Sequence, residues 1–511
     1  MESVFQGINN VFSFVIPISD FLWDFPTNFS WYANIPILGN FSLAIILLVA
    51  TGIFFTIKTG FIQVTHFKEG LKILTRKKKD EMGISSLGAF FLSSAMRVGP
   101  GNILGVTGAI SIGGPGALFW MWVSAFFGMA TAYIEATLSQ IFKEKRNDEF
   151  VGGLPYYGQR LLGNKAWAGT LLSIMFIVYA MCCLPAQGYN VVSSVGQMGE
   201  IISGTTISTT SPFYYIVAIL LIILTTYIAF GGIKKVTKVT NTAVPIMAVI
   251  YVVTVFLLIL MNLQAVPYFF KAVLGGAFTP DAIFGGVFGT VLAQGIKRGL
   301  MSNEAGQGTI SLAAGTANTE HPCEQGCVQA IGVFLDTIVI CTLTGFVVVM
   351  AHLWTSAEAS AWLKLDKLPK FLTSASALTP GTGTFDTIII FLITISFCLF
   401  AFTCLIGFIS FSEMAAARIT KNKMFINAVR IMGIGITIFG ILSSMAGIDL
   451  GNLWAISDLG NILIVFANLP LLYIGFKYAI RATVHFKKND GTKFTSDIIG
   501  TECTYWDERN R

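Results

Sequence analysis

The chain has 511 residues, 54% of them hydrophobic and only 12% charged, with a formal net charge of +6. A soluble domain carries roughly twice that charged fraction, and apolar runs of about 20 residues recur along nearly the whole length, so the composition excludes a soluble fold. The basic excess falls in loops on one side of the predicted spans, which marks orientation in a lipid bilayer and leaves nucleic-acid binding without support.

In chain order, residues 1–39 read as an extracytoplasmic amphipathic segment with Trp23 and Trp31 as interface anchors. Met1-Glu2-Ser3-Val4 lacks a basic n-region, so no cleaved signal peptide is expected. Spans are predicted at about 40–58, 84–112, 115–141, 166–196, 212–231, 238–262, 282–305, 325–353, 384–412, 424–446 and 450–480, eleven in all. Residues 40–83 hold the first span and an amphipathic run, Phe61 to Lys79, predicted to lie along the inner surface. Residues 353–383 form the longest external loop, and 481–511 a polar cytoplasmic tail. With the loop after the first span inside, 27 of the 33 basic residues share its side, Lys297 and Arg298 among them. Lys271, Lys364, Lys367 and Lys370 fall opposite, and Arg97 and Arg430 lie within spans. The N-terminus is therefore expected outside and the C-terminus in the cytoplasm, in the cell (inner) membrane. Eight scattered cysteines without metal-ligand spacing read as reduced structural thiols.

Two spans are interrupted. The second carries Val98-Gly99-Pro100-Gly101-Asn102 at its centre, and the seventh carries Phe284-Gly285-Gly286-Val287-Phe288-Gly289. A proline between glycines removes an amide donor where lipid offers no substitute, so freed backbone is tolerated only where it lines a cavity or binds something. Each interrupted span opens a half of five, 84–262 and 282–480. An odd number of spans per half inverts the second half relative to the first, as in inverted-repeat transporters.

Several side chains join these breaks as candidates. Unwinding at Gly99–Asn102 exposes amides suited to a carboxylate and carbonyls suited to a small cation, and Asn102 adds a side-chain oxygen. Gly285 and Gly289 also fit small-residue helix packing. Arg97 sits mid-span at a cost of about 2.5–3.5 kcal/mol on the insertion scale, so it needs a partner. Glu135, Asp336 and Asp386 are candidates, Asp336 first; a structural ion pair and a coupling or gating role both stay open. Gln187, after Pro185, suits either a substrate or a neighbouring helix. Thr403 supplies a hydroxyl to a cation or back to its own helix, and Cys404 a thiol that hard ions bind poorly. Asn303 and Glu304, at the predicted cytoplasmic end of span seven, read as an inner gate with Arg298 or as a solvated helix terminus. No nucleophile–base pair stands at membrane depth, so the chain is not expected to be an enzyme.

The stretch Arg97-Val98-Gly99-Pro100-Gly101-Asn102-Ile103 through Gly113-Gly114-Pro115-Gly116-Ala117-Leu118-Phe119-Trp120-Met121-Trp122 resembles the alanine or glycine:cation symporter family. So do Gly128-Met129-Ala130-Thr131, Gly152-Gly153 with Tyr156-Tyr157, Arg298-Gly299 leading to Ser302-Asn303-Glu304-Ala305-Gly306, His321-Pro322, Asp336-Thr337 and Phe400-Ala401-Phe402. The resemblance implies an all-α, leucine-transporter-like 5+5 inverted repeat with one extra N-terminal span, and sodium-coupled symport of small neutral amino acids such as alanine, glycine or serine. It places the substrate carboxylate at Gly99, Pro100, Gly101 and Asn102, and its amino group near Phe284, Gly285, Gly286 and Phe288, with Gln187 at a substrate-contacting position. It further implies a sodium site from Ala95, Val98, Thr403 and Cys404, and a second involving Asn102. Three departures from the family pattern stand out: Pro100 replaces the usual Thr, Thr403-Cys404 replaces Ser-Thr, and Arg97 adds a fixed cation near a sodium site. These departures keep open a proton-coupled or sodium-independent transporter or exchanger.

Overall fold

The structure, a computed structural model, describes residues 13–35, 38–76, 82–146, 149–278, 287–355, 359–381, 383–448, 450–488 and 491–510. Its first half contains α1 (Val15–Asp24), α2 (Leu43–Thr59), α3 (Phe67–Thr75), α4 (Ser86–Arg97), α5 (Val106–Gly113) and α6 (Gly116–Ile141). An antiparallel hairpin, Glu144–Arg146 with Glu149–Val151, precedes α7 (Leu154–Leu161), α8 (Ala166–Ser203), α9 (Pro212–Ala229), α10 (Gly232–Met261) and α11 (Val266–Phe278). The second half contains α12 (Val287–Asn303), α13 (Thr309–Gly315), α14 (Pro322–Met350), α15 (Lys367–Ala377), α16 (Thr384–Ile419), α17 (Lys423–Met445) and α18 (Leu450–Lys488), and the tail ends in α19 (Thr504–Asn510).

Eight of these, α6, α8, α9, α10, α14, α16, α17 and α18, are long and apolar enough to cross a membrane. The expected count of eleven adds the shorter α2 and the two interrupted pairs, α4–α5 and α12–α13. The most extensive helix packing joins equivalent positions of the two halves: α8 lies along α16, and α6 along α14. That pairing is what a repeat built around an internal two-fold axis produces. On α9, Ile216, Ile219, Leu220 and Ile223 are exposed, an apolar face suited to lipid.

The first break follows from its residues. Helix α4 starts at Ser85, whose hydroxyl accepts from Gly88 N at 2.9 Å, and ends at Arg97. Pro100 has no amide to continue the helix and instead starts a π turn over Gly101–Gly105 that leads into α5. The amide freed at Gly99 donates to Asn102 Oδ1 at 2.8 Å, so a side chain replaces the missing backbone acceptor.

A second break lies where the sequence pattern predicts none, and of the predicted run only Val287, Phe288 and Gly289 are described, in helix. Helix α12 runs without interruption through Gly289 to Asn303, and the chain opens at Glu304 to Gly308. There Glu304, Gly306 and Gly308 all have positive φ (57°, 88° and 85°), so the backbone reverses twice before α13. Gly306 N donates to Glu135 Oε2 (2.9 Å), and Gly306 O accepts from Asn468 Nδ2 (2.9 Å). Asn468 is held in turn by Tyr157 OH at 2.5 Å, and Ala305 N donates to Asn303 Oδ1 at 3.1 Å. Polar side chains from α6, α7 and α18 thus take the place of water. Phe284, Gly285 and Gly286 lie outside the described residues, as does the Phe288 side chain.

One further expectation changes. Trp31 is 69% exposed, as an anchor should be, but Trp23 is 1% exposed and packs on α18. Part of the amphipathic run forms α3, which buries Gly70, Ile73 and Leu74 against α14. The tail folds back on the helices, where Trp506 is fully buried and donates its Nε1 to Gln140 O at 2.7 Å. Substituting Asn468→Leu strands Gly306 O and Tyr157 OH, and a loss of about 1–3 kcal/mol is expected. Thermal unfolding in detergent checks this; a variant as stable as the parent would remove Asn468 from that role.

Candidate functional site

The two breaks meet. Asn102 Nδ2 donates to Asp336 Oδ1 (2.6 Å) and Ser302 Oγ (3.0 Å). Asp336 Oδ2 accepts from Ser302 Oγ (2.7 Å) and Thr337 Oγ1 (2.8 Å), and Asn303 Nδ2 reaches Thr337 Oγ1 at 3.3 Å. Asp336 stands on a π-wound stretch of α14, Phe334–Cys341, which turns it toward both breaks. A buried carboxylate fastened by three side-chain donors joins the first unwound segment to the end of α12.

Beside this junction lies a cavity of about 50 Å³. Arg97, Gly99, Pro100 and Gly101 form one wall, Met301 and Glu304 another, and Gln187 and Cys404 close it from α8 and α16. Gln187 Oε1 is buried without a protein partner, as are Arg97 Nε and Nη1, so both acceptor and donor capacity go unused around it. A Cβ added at Gly101 meets nothing within 4 Å, whereas one at Gly99 would fall 2.5 Å from Cys404 Sγ. Gly101 thus leaves backbone open to the cavity, and Gly99 permits α16 to approach the break.

Seven of the candidates, Arg97, Gly99, Pro100, Gly101, Gln187, Glu304 and Cys404, converge here, with Asn102 and Asp336 directly behind. Others do not reach the cavity. Thr403 Oγ1 bonds back to Leu399 O (3.0 Å) and Phe400 O (3.2 Å), while Cys404 Sγ donates to Met96 O at 3.2 Å. Ala95 and Val98 are buried close to the break but do not line it.

The partner of Arg97 is not Asp336. Its guanidinium, 1% exposed, donates from Nη2 to Gln329 Oε1 at 2.8 Å, and it fits because Gly332 has no side chain. A Cβ there would stand 1.8 Å from Nη1. Glu304, Asp336 and Glu135 act on the charge across longer gaps, and Asp386 caps the start of α16 by accepting from Gly383 N at 3.2 Å. Arg298 is also displaced from its expected place. It lies one turn before Met301, on the α12 side of the second break, and its Nη1 is 3.5 Å from Asp458 Oδ2 on α18. Lys297 Nζ is 3.6 Å from the same oxygen. Among the described residues Arg298 makes no ion pair with Glu304; with Lys297 it approaches Asp458 instead. These two basic residues belong to α12, the half-helix before the second break, not to a loop.

Residues 28–498 match the sodium:alanine symporter family. The chain belongs to that family. Its members are membrane transporters, not enzymes, as the motifs implied. The amino-acid carrier protein AlsT of Bacillus subtilis (strain 168) is 33% identical over 92% of this chain and 90% of its own length. The sodium/alanine symporter AgcS of Methanococcus maripaludis is 34% identical over 83% of this chain and 90% of its own. In fold, the chain is similar to the solved structure of MhsT in complex with L-phenylalanine, with a TM-score of 0.52 at 15% identity. That likeness covers 80% of this chain and 99% of MhsT. The fold is thus the leucine-transporter-like one.

Sequence reasoning passed over Ser302, Gln329, Asp458 and Asn468. The alternation Gly306-Gln307-Gly308 after Asn303 was the available signal for the second break. Gly99→Ala is expected to destabilise the first break by about 1–3 kcal/mol through overlap with Cys404 Sγ. Adding Cys404→Ala removes the obstacle, so thermal unfolding of the double variant should return toward the parent; equal instability of both would contradict the contact.

Proposed function

We propose that this protein is a secondary active transporter that carries small neutral amino acids of the alanine, glycine or serine type by alternating access, coupled to sodium. The observation that carries the reading is one small cavity walled by both broken helices. Bare backbone at Gly101 offers amides to a carboxylate, and Gln187 Oε1 offers an acceptor to an ammonium group. The small volume favours a short side chain. Membership in the sodium:alanine symporter family supports the class of substrate and ion.

Sodium prefers hard oxygen ligands. The junction behind the cavity gathers Asp336, Ser302 and Thr337 with Asn102, and this set is our candidate for one coupling ion. The carbonyls of Ala95 and Val98 with Thr403 are the candidate for another, where Cys404 and the nearby Arg97 charge weaken cation binding. Arg97 favours a second reading at that position alone: a tethered cation in place of one sodium, which lowers the number of ions carried per cycle. Lys297 and Arg298 with Asp458 form the outer gate, in the orientation with the hairpin and tail in the cytoplasm.

Uptake of radiolabelled alanine into proteoliposomes tests the reading. A sodium gradient is expected to drive accumulation that choline does not support; accumulation driven equally in choline would remove sodium from the mechanism. Gly101→Leu is expected to abolish alanine binding while the protein inserts and folds, because the side chain fills the space at the open backbone. Unchanged affinity in that variant would place the substrate elsewhere.

A further inference from the structure

Helix α1 lies outside residues 28–498, the part that matches the family. It is amphipathic across two sides: Val15, Ser19 and Trp23 are buried at i, i+4 and i+8, while Phe14, Ile18 and Phe21 are exposed. The buried stripe packs on α18. At its end, Trp23 donates Nε1 to the backbone oxygen of Asp458 at 2.9 Å, and Lys297 Nζ stands 4.9 Å over its ring. The indole therefore touches both partners of the Lys297–Asp458 ion pair, one on α12 and one on α18. Asp20 and Asp24 of α1 also face Lys297 electrostatically. Burial raises the Asp24 carboxyl above its ordinary range, and Lys297 opposes that rise.

We infer that α1 is a strap over the outer gate, and that Trp23 is a positioning residue that holds Lys297 against Asp458 and so favours the closed outer side. The inference rests on the transport reading above. For the cavity to open toward α1, α12 must part from α18. The indole opposes this in two ways, because the cation over its face and the carbonyl at its edge belong to different helices. Separation breaks one contact or the other. Residues matching the family begin after α1, so the strap adds to the carrier without supplying any of its cavity.

Native Cys183 and Cys404 line the cavity and report its opening. The full-length protein is reconstituted in vesicles of each orientation and treated with a membrane-impermeant maleimide, and both thiols are followed by mass spectrometry. Trp23→Leu, which removes both contacts, is expected to label roughly tenfold faster than the parent from the α1 side only. Trp23→Phe keeps a ring beneath Lys297 but loses the donor, and should fall between. In transport, the external KM should fall along with kcat, since the cavity faces outward more of the time and returns more slowly. Labelling at the parental rate in both variants would overturn the strap, as would equal acceleration from both sides, which signals general loosening. If Trp23→Leu does not fold, Trp23→Phe carries the test alone. Protection of Cys404 by alanine with sodium in the parent is read separately: its absence counts against the transport reading and leaves the labelling comparison intact.

Discussion

A peptide group in the bilayer core must find its hydrogen-bond partner inside the protein. Two helices of this chain stop where that demand is hardest to meet, and the side chains around them are arranged to meet it. Asn102 serves Gly99, Glu135 and Asn468 serve Gly306, and Asp336 ties the first break to the end of α12. Each of these is a polar residue that an apolar environment would otherwise exclude. They support the interrupted backbone, and the cavity exists because the interruption is held open rather than healed.

From this follows a division of labour. The junction of Asn102, Ser302 and Asp336 is tied by its own hydrogen bonds and holds the two breaks together, and in the proposed cycle a coupling ion exchanges ion–oxygen contacts for some of those bonds. The cavity beside it keeps unused capacity at Gln187, Arg97 and the open face of Gly101. Saturated groups fix geometry, whereas unsaturated ones in a recess suit a guest that supplies what is missing. In the proposed cycle, the Lys297, Arg298 and Asp458 cluster is where α12 and α18 separate to admit that guest.

Much of the fold was legible because hydropathy and span length are imposed by the bilayer itself. The first break was also legible, since Gly99-Pro100-Gly101 is incompatible with a continuous helix. The break at Glu304 to Gly308 was missed because Gly285, Gly286 and Gly289 look weaker as helix than Asn303 to Gly308 does. In a linear reading, the polar Asn303-Glu304 pair resembles a helix end at the membrane surface, when in fact it sits at depth among partners from α6 and α18. Lys297 and Arg298 misled for the same reason. Their compensation comes from Asp458, far along the chain, and no local pattern announces it. Arg97 drew attention to acidic partners, but Gln329, a neutral acceptor, and the space left by Gly332 receive it. Long-range satisfaction of charge was the part the sequence concealed.

A map determined by crystallography or cryo-electron microscopy with L-alanine and sodium present tests the central claim most directly. The expected result is amino-acid density between Gly101 and the Met301–Glu304 wall, with its ammonium toward Gln187 and the helix ended at Asn303. Density lodged away from both breaks, or a helix running unbroken through Glu304, would contradict it.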